Sequence, residues 1–393
     1  MRRILTVVLA GALLVGLAGI APAGKTKNIK RVARVAYKGG SHLTFGNGYA
    51  YGGELNGVSG RDEAGYEDKG GVRIFDITGR PRQAGFFHCP GNDLDVAYMK
   101  PGVIAVGYHK ALCTEPGEGL FTLDVSNPKK PKMMDYITFP ATFNRNHAIA
   151  RYPGKPLVYA AGGGLGRGQE TVTIVDVSNP RKLKIASSYL ALPRGCHDIS
   201  FHFDKTGKYA FCSGLGETQV WDVSKPLAPE VISRIHNPAI QFQHYAVASD
   251  DGKILVINDE NITANDCVPQ ETPTGAIWIY DISDKANPEL QSYFSPRRGA
   301  APIGSFESPS GTCTSHDFNF MDNRTVVVPF YTGGFSIINL KNPSNPKEVA
   351  YYQPKGTNMW SAHWYKGRIY TNDMGRGFEA LEVKMKRGTD AGR

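Results

Sequence analysis

Thr173-Ile174-Val175-Asp176-Val177-Ser178-Asn179-Pro180 is a strand and its turn in eight residues. Its first half alternates β-branched side chains, which suit a pleated, half-buried surface. Its second half stops the strand. Asp, Ser and Asn side chains bond nearby backbone, and Pro fixes φ. The same pattern recurs at Val72–Ile77, Leu120–Pro128, Gln219–Ser224, Ile277–Ser283 and Phe335–Pro343, with a degraded copy at Phe378–Val383. The markers Asp76, Asp124, Asp176, Asp222, Asp281, Asn339 and Glu382 stand 43 to 59 residues apart. A period near 50 residues filled with short strands signals a repeat array, and the β-propeller is the architecture it predicts.

Working outward, each unit reads as four antiparallel strands, with the quoted pattern third. First strands are predicted to start near His42, Asp93, His147, His197, His244, His316 and His363. The last unit has only Ala362–Tyr365, Arg368–Asn372 and Phe378–Val383. The lone alternating segment Lys27–Tyr37 supplies the missing strand and closes the ring, which removes an exposed sheet edge. The expected fold is therefore an all-β, seven-bladed β-propeller of four-stranded antiparallel blades, spanning residues 24–386 with a polar tail over 387–393. The long insertions, Gly53–Gly70, Tyr108–Glu118, Asn258–Thr274 and Ser295–Thr314, fall on one predicted face, the candidate working face.

Met1–Ala23 reads as a signal peptide. Arg2-Arg3 precedes the apolar run Ile4–Ile20, and Ala21-Pro22-Ala23 offers small residues for cleavage. The expectation is an exported protein, secreted or at the cell surface, with no stable membrane span after cleavage. The formal charge is +9, or +7 once Arg2 and Arg3 are removed. The basic residues are scattered through turns (Lys129-Lys130, Arg181-Lys182, Arg297-Arg298). This suits attraction to anionic cell-wall polymer, an extracellular protein or a small ligand, and disfavours nucleic acid.

Six cysteines in an exported chain point to three disulfides. Hairpin register brings Cys89 opposite Cys113 and Cys196 near Cys212, which leaves Cys267 with Cys313. Thiolate metal ligation is the weaker alternative, because there is no C-x-x-C.

Six of the ten histidines, His42, His147, His197, His244, His316 and His363, stand at predicted first-strand entrances, with Asp93 in that place in the second unit. Three readings follow. The histidines brace the units through backbone or carboxylate bonds, as the Gly-His dipeptide does in WD-repeat propellers; Val220-Trp221-Asp222-Val223 contains a Trp-Asp pair. Alternatively, together with Asp93, they bind a transition metal, copper or zinc, since neutral imidazole suits those ions. Such binding would weaken below about pH 6 as free imidazole protonates. In the third reading they hold an organic or anionic ligand, with Trp360, Trp364 and Tyr245. Trp221 and Trp278 read as core. Asp198 and Asp317 follow histidines directly and are candidate supports for them. Gly162-Gly163-Gly164-Leu165-Gly166 lacks the Lys-Ser/Thr ending of a phosphate loop. There is no G-x-S-x-G and no H-E-x-x-H, so no catalytic residue is assigned.

The strands Thr173–Pro180 and Gly119–Pro128 resemble those of the LVIVD-repeat family of exported bacterial propellers. That resemblance implies a secreted or surface propeller and no particular reaction. A fainter likeness, through the histidines and the Asp-Val-Ser-x-Pro turns, is to selenium-binding propellers that act as copper-dependent thiol oxidases; no residue is carried over from it. Two functions remain: a ligand-binding or interaction module with a His-lined channel mouth, or a copper- or zinc-dependent enzyme using the same mouth.

Overall fold

A computed structural model describes residues 24–55, 70–91, 93–140, 146–162, 171–191, 195–261, 273, 275–296 and 313–384. The predicted signal segment, the polar tail, Cys267 and most of the long insertions lie outside the described residues.

The described secondary structure is all β. Its strands form seven consecutive antiparallel units. Unit one is Gly40–Gly46, Tyr49–Glu54, Gly71–Asp76 and Arg82–His88; unit two is Asp93–Lys100, Val103–His109, Glu118–Asp124 and Lys132–Thr138. Unit three is Ala148–Arg151, Leu157–Ala161, Thr171–Asp176 and Lys184–Leu190; unit four is Asp198–Phe203, Lys208–Gly214, Glu217–Asp222 and Glu230–Ile235. Unit five is Gln243–Ala248, Ile254–Asp259, Ile277–Asp281 and Glu289–Phe294; unit six is Asp317–Asp322, Thr325–Pro329, Phe335–Asn339 and Lys347–Gln353. Unit seven has Met359–Tyr365, Arg368–Asp373 and Gly377–Val383. Its fourth strand is the N-terminal Ile29–Val35, antiparallel to Gly377–Val383 with Ile29 opposite Val383.

Units six and seven share one nine-stranded sheet. They join through a short parallel contact that sets Asp317 opposite Ser361. A further strand absent from the sequence reading, Gly24–Lys25, extends unit six, with Gly24 opposite Gln353.

The turn chemistry repeats as the sequence demands. At six of the seven markers the carboxylate or amide oxygen accepts the backbone N–H two residues on: Asp76 from Thr78, Asp124 from Ser126, Asp176 from Ser178, Asp222 from Ser224, Asp281 from Ser283 and Asn339 from Lys341, at 2.7–3.0 Å. Glu382 departs from the pattern and faces Arg368 at 3.5 Å.

Alternation along each strand sends successive side chains to opposite neighbours. Ile174 packs with Ile199 and Trp221 of unit four, whereas Val175 packs with Ala97 and Leu120 of unit two. The same division yields seven apolar clusters, one between each pair of neighbouring units, including one between units seven and one built on Phe378, Tyr370, Phe75 and Leu43. The first strands of successive units lie side by side, and that of unit seven lies against that of unit one. Fourth strands are the most exposed, as in Lys184–Leu190. The first strands are thus innermost, and their entrances meet. No helix of the described residues is long and apolar enough to cross a membrane.

Cys89 bonds Cys113 and Cys196 bonds Cys212, with Cα separations of 5.2 and 5.1 Å. Cys313 is also disulfide-bonded. Its expected partner, Cys267, lies outside the described residues.

Candidate metal centre

Four histidines reach the centre from equivalent positions. His147, His197 and His316 each donate their backbone N–H to a carbonyl at the end of their own unit's second strand, at Ala161, Ser213 and Pro329, over 2.6–3.1 Å. Unit five solves the same problem with a bulge between Gln243 and Ala246. There the Asn258 side chain accepts the Tyr245 N–H at 2.6 Å, and Asp259 accepts the Phe242 N–H at 2.9 Å. His244 is thereby aimed inward beside the other three. All four imidazoles are buried.

Their rings form a continuous arc. Centroids are 4.1 Å apart for His147–His197, 4.7 Å for His197–His244 and 4.3 Å for His244–His316. Trp360 continues it, 4.1 Å from His316 and 5.7 Å from His42. Two sets of potential donor atoms lie within 4.8 Å of one another: His147, His197, His244, and His244, Glu260, His316.

Glu260 was not legible as a site residue. It follows directly on the second strand of unit five, and its backbone N–H bonds the Phe242 carbonyl at 3.0 Å. Its carboxylate lies 3.4 Å from His244 Nε2 and 3.5 Å from His316 Nε2. Tyr331 donates its hydroxyl to Glu260 Oε1 at 2.6 Å. The available signal was the acidic pair Asp259-Glu260 closing the apolar run Ile254–Ile257.

His316 Nδ1 lies 3.1 Å from the Trp360 carbonyl, which can only accept. The proton therefore sits on Nδ1, and the Nε2 lone pair faces Glu260. This is how a carbonyl partner orients a metal-ligating histidine. His42 is set the other way. Trp360 Nε1 donates to its Nε2 at 3.3 Å, while its Nδ1 faces Asp95 Oδ1 at 3.6 Å and Asp317 Oδ2 at 3.8 Å. With Nε2 occupied by an indole N–H, His42 braces Trp360 and the carboxylates.

The strand register corrects two positions. Because Asp317 pairs with Ser361, the place beside His316 in unit seven belongs to Trp360. His363 lies three residues further in, where its Nε2 meets Asp317 Oδ1 at 2.9 Å. In unit two, Asp95 lies opposite Gly107, the register that Asp198 takes opposite Ser213. Asp95 is thus the acid facing His42; Asp93 opens its strand opposite His109.

Burial governs the electrostatics. It pushes Asp95 up to about 6 and, with Asp95 and Asp317 nearby, raises Asp198 well above the usual carboxylate range. Burial also opposes ionisation of Asp317, but His363, His42 and His316 outweigh it and hold that group at about 2. Burial, then neighbouring imidazoles, lowers His244 well below its ordinary value and His316 to about 3. These two imidazoles are neutral at any ordinary pH, the form that coordinates metal.

The aromatic candidates divide. Trp360 is in the centre, while Trp364 packs on the cluster between units six and seven. Tyr245 stacks edge-on against Phe318 at 5.5 Å. Trp221 and Trp278 are buried in inter-unit core.

The LVIVD repeat family matches residues 168–191, the stretch containing the strand and turn quoted first. No curated protein matches the chain.

Proposed function

We propose that the seven units are the blades of a seven-bladed β-propeller that works outside the cytoplasm as a binding module, holding a transition-metal ion, copper or zinc, at its centre. The fold part is supported by the ring of neighbouring first strands and by the N-terminal strand in unit seven. Export is supported by the leader-like Met1–Ala23 segment and by the disulfides Cys89–Cys113 and Cys196–Cys212. The observation that carries the metal is the convergence of four buried imidazoles and one buried carboxylate from consecutive units within 4.8 Å in each set. Nitrogen donors with a single carboxylate favour borderline divalent ions over calcium or magnesium. The mature basic surface suits an anionic partner such as cell-wall polymer.

The test is elemental analysis of protein made without a His tag, before and after incubation with copper and zinc. Bound copper or zinc is expected, with less of it held in His197→Ala and in His316→Ala. Absence of metal after both incubations would contradict the reading and leave a scaffold.

The second reading, a metal-dependent enzyme at this centre, is favoured by Tyr331. Its hydroxyl touches Glu260, and its backbone holds a left-handed φ of 42°, a strained state that persists where the surroundings enforce it. Tyr331→Phe would then keep the ion but lose turnover in a screen of thiol oxidation and ester hydrolysis; unchanged turnover would count against the phenol.

A further inference from the structure

The two donor sets share one residue. His244 belongs both to the set with His147 and His197 and to the set with Glu260 and His316. Its ring stands between them, 4.7 Å from His197 and 4.3 Å from His316. It is fully buried, and neither of its ring nitrogens makes a hydrogen bond to a described residue. Buried polar groups are normally satisfied, and an imidazole N–H normally finds an acceptor. His316 follows that rule, with Nδ1 on a backbone carbonyl and Nε2 free for an ion. His244 Nε2 lies 3.4 Å from Glu260 Oε2, on the side of the second set, and Nδ1 is left over for the first.

We propose that the centre takes two divalent first-row transition ions, copper(II) or zinc(II), one in each donor set, bridged by His244 as an imidazolate. This rests on the metal-centre reading above and specifies its stoichiometry. As the two metal–nitrogen bonds form, the His244 N–H bond breaks and its proton leaves to solvent; no electron moves and both ions stay divalent. Bound cations lower the pKa of coordinated groups, which makes that proton loss accessible. The surroundings suit the added positive charge. Glu260 and the imidazolate lie in the centre itself, and the buried acids Asp95 and Asp317 stand on the side of His42 opposite Trp360.

The experiment titrates metal-free, untagged full-length protein with copper(II), following heat in buffers of different ionisation enthalpy together with electron paramagnetic resonance. Expected are two ions per chain, one more proton released with the second ion than with the first, and collapse of the isolated-ion spectrum into that of a coupled pair. His147→Ala should keep one ion with an isolated spectrum, and His244→Ala should show no coupling. Saturation at one ion, two uncoupled ions, or coupling that survives His244→Ala would overturn the bridge and leave the metal centre standing. Failure of the wild-type protein to bind any ion would overturn both.

Discussion

At the residue scale the centre is governed by where protons can go. A free imidazole titrates near 6.5, but burial holds His316 at about 3 and His244 well below its usual value. The pH 6 limit for metal binding expected from the sequence therefore moves down. We predict that the metal-loaded protein keeps its ion at pH 5; release with a midpoint near 6 in a chelator titration would contradict this. The linkage has a definite sign. A depressed histidine pKa means the folded state binds fewer protons, so stability is full above about 6.5 and is lost as pH falls toward the folded value. Asp373 acts oppositely. Burial raises it to about 6 even though it accepts Thr357 Oγ1 and the N–H groups of Asn358, Gly375 and Arg376. Its contribution is full below about 4 and lost as pH rises through about 6. Asp373→Asn should therefore shift the change in melting temperature between pH 4 and 6 in the positive direction relative to the wild type; an identical change would exclude this role. Of the candidate centre, His147, His197, His244 and His316 could be picked out because one residue type recurs at repeat spacing, whereas His42 and His363 share the spacing and lie outside both donor sets. Glu260 and Asp95 could not be picked out, because a lone acid beside a strand has no distinguishing pattern until register is known.

At the scale of the element, the third strand was readable because two independent constraints coincide: alternation along Thr171–Asp176, and an Asp whose carboxylate closes the following turn. Asp176→Ala removes the bond to the Ser178 N–H and should cost about 1 kcal/mol in urea unfolding, with metal content unchanged. A neutral result would mean that the Pro turn alone stops the strand. First strands were less legible. His363 carries the expected residue type, yet pairing with unit six starts that strand at Met359 and gives the entrance to Trp360. Residue identity proposed one phase, and backbone pairing between neighbouring strands imposed another. The disulfides were predictable where both cysteines flank one hairpin. Removing Cys89–Cys113 by paired Cys→Ser changes should cost about 2–4 kcal/mol, read from denaturant midpoints; no change would show that the hairpin holds without its staple.

For the whole molecule, stability depends on joining the two ends. Ile29–Val35 covers the outer edge of unit seven, with Ile29 buried in the cluster between units six and seven and Arg31 paired with Glu379 at 2.9 Å. Burying Ile29 alone contributes about 2 kcal/mol. Deleting residues 24–37 should lower the melting temperature sharply and leave an edge prone to association; an unchanged cooperative melt would contradict closure by this strand. The same ring gathers side chains from units three to six around one point, which no single unit could do. The claim that this point is a metal centre is tested most directly by X-ray absorption on untagged protein loaded with zinc or copper. The account predicts a first shell of nitrogen and oxygen only, at about 2.0–2.1 Å, with imidazole scattering that weakens in His316→Ala. A sulfur shell near 2.3 Å, or a hydrated ion without imidazole scattering, would contradict it.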